Sequence, residues 1–386
     1  MKRSFLLLVF VFALLVSFNF NNVNFVSYAQ GNDVEIKVEA KSALLVDGAS
    51  GEVIFEKNAH DKLPVASMTK LATLSIVFDA INKGIIKLSD SVVVSQNAAS
   101  IKGSSAFLDA GSSYKLNDLV KSIIIASAND SCVAVAEFVS GSEELFVKRM
   151  NKFAADLNLK DTNFENCTGL PAKNHYSSAY DMLQIYKTVY DNEIYKAFAK
   201  IWMDDFVHPS GRRTELVNTN RLIKTYDGIE GGKTGYTDAA KFCLTASASR
   251  GGMRLLGVVI GVDDSKTRFA EMSKLFDYGF ANFKNEELIN SKVPVTILNI
   301  KNAKNIVEVY PEHDIVKFLS KNDTTKFSID YQLYDIKAPQ KAGNTVGKMF
   351  VFDENNMVVD EVELIINNDV SAVDFRYSIN KIFSIW

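Results

Sequence analysis

The sequence predicts an α+β chain: a large domain mixing strands and helices, a small all-β domain, and a short amphipathic helix at the end. Three observations carry this. Apolar residues recur at helical spacing in several stretches before residue 200, and strand-like runs at 34–56 and 242–262 bracket those stretches. From about Val293 the pattern changes to short alternating runs. From Ser371 the spacing turns helical again. A chain of 386 residues that is 47% apolar has material for two domains and a substantial core. The expected boundaries are a leader over 1–29, a main domain over 30–290, a β domain over 291–369 and the terminal helix over 370–386.

The elements follow in order. Met1-Lys2-Arg3 and the apolar run from Phe5 to Val16 have the charged and apolar regions of a secretory signal. Ser27-Tyr28-Ala29 supplies small residues for cleavage near Gln30. Val46, Val53, Ile54 and Phe55 lie in two strands about the turn Asp47–Gly51. From Pro64 to Gly84 a helix is expected, because Leu71, Leu74, Val77, Phe78 and Ile81 share its spacing, with Pro ahead and Gly behind. Leu116–Ile125 and Cys132–Val139 read as a helical hairpin joined by the small polar loop Ala126–Ser131. Further helices are expected over 143–157 and 179–200. The glycine-dense stretch Gly228–Thr237 precedes a buried hairpin, Phe242–Ala248 and Met253–Val262, turning at Arg250-Gly251-Gly252. In the β domain, Phe327, Ile329, Tyr331 and Leu333 alternate, as do Val362, Leu364 and Ile366, and Ala338–Gly343 makes a turn.

Composition excludes several classes of function. A net charge of −3 gives no footprint for nucleic acid. Three cysteines, Cys132, Cys167 and Cys243, form no disulfide framework and read as buried thiols. Four scattered histidines with no His-Glu-x-x-His argue against a zinc peptidase.

Chemistry enters at Ser67 and Lys70. Three apart on a helix, they share a face at its N-terminal end, where free N–H groups and the dipole favour negative charge. A serine oxygen that must become an alkoxide, beside an amine able to take its proton, fits nucleophilic catalysis. Alone the motif is weak, since Ser-x-x-Lys recurs at Ser112/Lys115 and Ser378/Lys381. Two further elements follow in order: Ser127-Ala128-Asn129 in the interhelical loop, and Lys233-Thr234-Gly235 on the glycine-rich strand edge. Lys-Thr-Gly occurs once in the chain. The ordered trio is the signature of serine β-lactamases and penicillin-binding proteins.

With Gly103–Leu108, Asn166–Pro171, His175–Met182 and Asn218-Thr219-Asn220 added, nearly the whole mature chain resembles one family. It is the serine D-alanyl-D-alanine carboxypeptidases, low-molecular-mass penicillin-binding proteins of peptidase family S11. The resemblance implies a β-lactamase/transpeptidase-like main domain, an antiparallel sheet flanked by helices plus a helical subdomain. It implies that Ser67 attacks the carbonyl between the two terminal D-alanines of a peptidoglycan stem peptide. Lys70 acts as a neutral base, its pKa pushed down by Lys233 and desolvation, and Ser127 relays the proton to the leaving amine. Asn129 suits the substrate's backbone amide, and Thr234 with Lys233 its terminal carboxylate. Gly235 and Tyr236 complete the binding set, the N–H groups of Ser67 and Tyr236 forming the oxyanion hole. β-lactams trap the same serine, and no cofactor is required. Some members carry Arg where Thr219 stands and His where Tyr236 stands.

The expected location is the outer face of the cytoplasmic membrane. Phe375, Ile379, Ile382, Phe383 and Trp386 form one apolar stripe on residues 371–386, about 24 Å long as a helix and too short to span. Two alternatives differ in class. A class A-like β-lactamase needs a deacylating glutamate, and the nearest match, Glu215-Leu216-Val217-Asn218, falls far past Asn129. A non-catalytic wall-binding protein would not need every catalytic position filled.

Overall fold

The structure, a computed structural model, describes residues 36–377 and residue 379. The leader expected over 1–29 lies outside them, as does nearly all of the terminal helix past Tyr377. The fold is α+β. Ser42–Asp47 (β1) and Val53–Lys57 (β2) form the first hairpin. A helical lobe follows: Lys70–Asn82 (α1), Gln96–Ser100 (α2), Leu116–Ala126 (α3), Asn129–Ser140 (α4), Glu143–Asp156 (α5), Ala179–Lys187 (α6) and Glu193–Ala199 (α7). Two short hairpins trim it, Ser91–Val93 (β3) with Ser113–Lys115 (β4), and Met203–Val207 (β5) with Arg213–Val217 (β6). Leu222–Thr225 (α8) then leads to Ile229–Thr237 (β7), Lys241–Arg250 (β8), Met253–Val262 (β9) and Ser265–Asn282 (α9).

The chain returns to its start to close the main sheet. Strand order is β2-β1-β9-β8-β7, antiparallel throughout, so the early hairpin pairs with the late one at the β1–β9 seam. Successive residues of β1 point to opposite faces. Leu44 and Val46 join Leu256 and Val258 against the helical lobe, while Ala43 and Leu45 join Leu255 and Val259 against Met272, Leu275 and Phe276 of α9. Both faces are covered, and so these strands read as unbroken apolar runs.

α1 runs between the sheet and the helical lobe, and all but its last turn is buried, Ser75 and Thr73 included. A helix enclosed on every side has to satisfy its hydroxyls internally. Thr73 Oγ1 donates to the Cys167 carbonyl (2.8 Å) and Ser75 Oγ to the Leu71 carbonyl (2.8 Å). The expected helix from Pro64 opens as a 3₁₀ turn, Ala66–Thr69, before α1 begins at Lys70. The single helix expected over 179–200 is two, because Asn192 caps a new start by accepting the Ile194 N–H (2.9 Å). α9 has no counterpart among the expected elements. Its apolar residues have helical spacing, but the buried Arg268 and Glu271 interrupt the stripe.

The second unit is a β sheet: Thr296–Leu298 (β11), Val307–Pro311 (β12), Val358–Ile366 (β16), Thr345–Phe352 (β15) and Ser328–Leu333 (β14), in that order. Phe283–Ile289 (β10) pairs with Ile315–Ser320 (β13) and links this sheet to the main domain. Phe283 stacks on Phe318 at 5.1 Å, and Asn285 Nδ2 donates to Asp47 Oδ1 (3.1 Å).

The α9 layer rests on Phe276, fully buried under the sheet. Replacing it with alanine is expected to lower stability by about 3–5 kcal/mol, read as a lower urea midpoint at unchanged slope. A loss below about 1 kcal/mol would mean that α9 does not hold the sheet.

Candidate active site

Three segments converge where the main sheet meets the helical lobe. The first is the turn before α1. Ala66 adopts a left-handed backbone (φ 48°), unusual for a residue with a Cβ, and turns the chain so that Ser67 opens the cleft. Lys70, the first residue of α1, is fully buried; its Nζ donates to Ser67 Oγ (2.8 Å) and to the Thr168 carbonyl (2.7 Å). That carbonyl is aimed by a folded loop. Asn166 Oδ1 accepts the N–H groups of Thr168, Gly169 and Leu170 at 3.2, 2.7 and 3.1 Å. Gly169 has φ 85°, and a Cβ there would lie 1.9 Å from the Ala66 carbonyl oxygen. Thr69 Oγ1 and His175 Nε2, 2.8 Å apart, pin the same loop. His175 Nδ1 accepts the Glu165 N–H, so the neutral ring donates from Nε2, and burial pushes its pKa down to about 4.

The second segment is the α3–α4 link, shorter than the expected loop because α4 begins at Asn129. Ser127 ends α3 in the left-handed region (φ 61°), a place usually held by glycine. Asn129 Nδ2 donates to the Lys102 carbonyl (2.7 Å), while its buried Oδ1 has no partner among the described residues. Asp130 is spent on structure, accepting from Ser105 Oγ and the N–H groups of Ala106 and Leu108.

The third segment is β7. Lys233, buried, donates from Nζ to Ser127 Oγ (2.8 Å) and to the Thr234 carbonyl (2.9 Å). Thr234 Oγ1 donates to Thr219 Oγ1 (2.7 Å). At Gly235 a Cβ would lie 2.6 Å from the Val65 carbonyl oxygen and 3.3 Å from the Ser67 nitrogen, so only glycine lets this strand approach the Ser67 turn. The Tyr236 side chain is half exposed and engages Asp238 (2.9 Å) and the Phe242 ring.

Two serine–lysine pairs therefore stand in one cleft. Burial pushes the Lys70 ammonium down to about 8, against an opposing pull from Cys132, Cys167 and Asp130. Burial also pushes Lys233 well below its ordinary value, and the charges of Lys70 and Arg268 add to the effect. Of the two causes expected to depress Lys70, desolvation and the Lys233 charge, burial is the leading one. All three cysteines are buried free thiols.

Two residues of the neighbourhood, Asp130 and Arg268, lie in no quoted motif, while Thr168, which contributes a backbone oxygen, and Thr219 fall within Asn166–Pro171 and Asn218–Asn220. Arg268 reaches across to the Gly235 and Cys243 carbonyls, both at 3.3 Å. Only its burial, which sequence does not print, marks it.

A profile of the D-alanyl-D-alanine carboxypeptidase family matches residues 28–264, and one of the penicillin-binding protein 5 C-terminal domain matches residues 283–372. The D-alanyl-D-alanine carboxypeptidase DacF of Bacillus subtilis is 38% identical over 355 residues, 91% of each chain. DacC of Escherichia coli is 38% identical over 254 residues, 64% of this chain and 62% of that one. Penicillin-binding protein 5 of Haemophilus influenzae superposes with a TM-score of 0.69 at 30% identity, covering 87% of this chain and 99% of that structure. With these likenesses spanning both units, and the site within the first, the chain belongs to the D-alanyl-D-alanine carboxypeptidase family.

Proposed function

We infer that Ser67 is the nucleophile by which this D-alanyl-D-alanine carboxypeptidase removes the last residue of peptidoglycan stem peptides. The observation that carries the assignment is the pair of buried lysines, each hydrogen-bonded to a serine hydroxyl. With a pKa of about 8, roughly a tenth of Lys70 is neutral at pH 7 and able to take the Ser67 proton. Ser67 Oγ then bonds the scissile carbonyl carbon while the N–H groups of Ser67 and Tyr236 hold the oxyanion. Ser127, steadied by Lys233, relays the proton to the leaving amine as the C–N bond breaks. Water then hydrolyses the ester, Lys70 again serving as base.

The binding residues follow the same logic. Asn129 Oδ1, buried without a partner, is an acceptor that a substrate amide N–H completes. Lys233 and Thr234 supply charge and hydroxyl to the terminal carboxylate. Among the described residues, no acidic side chain bonds to Ser67 or Lys70 to give a class A-like β-lactamase its deacylating base. Glu215 is exposed on β6, paired opposite Asp205, and the Asp130 carboxylate is fully engaged. β-lactams are accordingly traps: they acylate Ser67 and leave slowly.

The purified chain is expected to release D-alanine from a pentapeptide-bearing muropeptide and to take up one benzylpenicillin on the peptide containing Ser67. Ser67→Ala should lose both by at least about a thousandfold, consistent with removal of a nucleophile. An adduct persisting in that variant would sink the assignment.

We also propose that the protein is exported and works at the outer face of the cytoplasmic membrane, with the β domain (291–369) as a spacer. No helix among the described residues is long and apolar enough to cross a membrane. Support for a surface anchor comes from the apolar stripe in 371–386, whose first member, Phe375, is 81% exposed. Each large apolar side chain leaving water contributes about 1.5–3 kcal/mol, so five suffice for reversible attachment. Liposomes are expected to co-sediment the mature chain and not a truncation ending at Asp369. Equal binding by the two would rule the anchor out.

A further inference from the structure

The loop from Lys102 to Asp109 decides how the Asn129 amide is presented. Asn129 Nδ2 donates to the Lys102 carbonyl (2.7 Å), and its backbone N–H donates to the Ser104 carbonyl (2.7 Å). Gly103 lies so close that a Cβ there would stand 2.6 Å from Nδ2. With the nitrogen end of the amide occupied, Oδ1 is the end left to accept. Asn129 keeps that orientation only while the loop keeps its place.

The far end of the loop carries the difficult residue. Phe107 stands in the left-handed region (φ 61°) and its side chain is 63% exposed, so packing does not hold it there. Its N–H donates to Ser105 Oγ (2.9 Å). Its carbonyl accepts from Arg212 Nη2 (2.6 Å), which reaches over from the β5–β6 turn. The same nitrogen donates to Asp109 Oδ1 (3.0 Å) and lies 3.1 Å from Nδ1 of the buried His208. The His208 ring is fixed at both nitrogens, with Tyr114 Oη 3.0 Å from Nδ1 and Thr214 Oγ1 2.9 Å from Nε2. Burial and the Arg212 charge push the His208 pKa down against opposing pulls from Asp109 and Asp130, so the ring is neutral beside the guanidinium at pH 7. Arg212 is therefore seated on a rigid base, and its strongest bond goes to the one left-handed residue of the loop. Among the described residues, neither Arg212 nor His208 is hydrogen-bonded to Ser67, Lys70 or Lys233.

We propose that Arg212 is a positioning residue for the reaction at Ser67: by holding the Phe107 carbonyl it keeps the 102–109 loop against Asn129, so that Oδ1 faces the substrate amide. The route runs from Arg212 through Phe107 and the Lys102 and Ser104 carbonyls to Asn129. Asp130 ties the middle of the same loop through Ser105 Oγ and the N–H groups of Ala106 and Leu108, which leaves the Phe107 carbonyl to Arg212. The proposal rests on the reading of Asn129 Oδ1 as the acceptor for a substrate amide.

The test reads the second-order rate constant for acylation of Ser67 by two β-lactams in the full mature chain. Benzylpenicillin carries an acylamino group whose N–H meets Asn129 Oδ1; a penicillanic acid sulfone without that group has nothing to offer it. Arg212→Ala should slow benzylpenicillin about tenfold, the scale of one charge-assisted hydrogen bond, and leave the sulfone within about twofold. Arg212→Lys should keep most of the rate. Glycine holds a left-handed backbone without help, so in a Phe107→Gly chain the same Arg212→Ala change should cost less than about threefold. If Arg212→Ala does not fold, Arg212→Met, which keeps the aliphatic stem, is read in the same way. No slowing, equal slowing of the two compounds, or the full loss in the Phe107→Gly chain overturns the positioning role. Asn129→Ala tests the underlying reading separately and should slow benzylpenicillin alone. If it slows both compounds equally, or neither, the reading of Asn129 fails and the proposal fails with it.

Discussion

Two amines without water are the constraint on which this structure depends. An ammonium taken out of water is strongly disfavoured unless it is paired, hydrogen-bonded or discharged. Lys70 and Lys233 are both buried, both lack a carboxylate partner, and both are hydrogen-bonded to a serine hydroxyl and a backbone carbonyl. That arrangement brings a lysine into the range where it can accept a proton. The surrounding elements supply the enclosure. α1 is enclosed on every side, the Asn166 loop caps Lys70, and β7 closes over the Ser67 turn because residue 235 has no Cβ.

Two of the left-handed non-glycine residues stand at the same place. Ala66 and Ser127 both hold left-handed backbones that cost of order 1–3 kcal/mol each. They flank the cleft, and each sets the direction of a reacting hydroxyl, Ser67 by the preceding turn and Ser127 directly. Asp130 and the Asn166 amide offset this by tying off the loops on either side through multiple N–H bonds. A flexible site would let water reach the lysines and return them to their ordinary basicity.

Much of this is legible in the residue string. The helical spacing after Ser67, the helical hairpin around Ser127 and the single Lys-Thr-Gly each appear where the structure puts them. What the string conceals has physical reasons. The break within 179–200 depends on one asparagine preferring a cap to a helix interior. α9 hides because Arg268 and Glu271 are buried among its apolar residues, each with a partner far away in sequence, Cys243 and Glu39, besides a local one. The second acceptor of Lys70 is a backbone oxygen, which no side-chain motif records. The desolvation of the two lysines likewise depends on burial depth, known only once the helices are packed.

The most direct test is the pH dependence of Ser67 acylation by benzylpenicillin in the wild-type chain and in Lys70→Arg. If the buried amine of Lys70 is the base, the acylation rate constant should rise about tenfold per pH unit up to about pH 8 and then level off. Lys70→Arg keeps the charge but cannot deprotonate, so it should be slower by orders of magnitude at every pH. A wild-type rate flat from pH 6 to pH 9, or near-normal acylation in the arginine variant, would show that another group takes the proton.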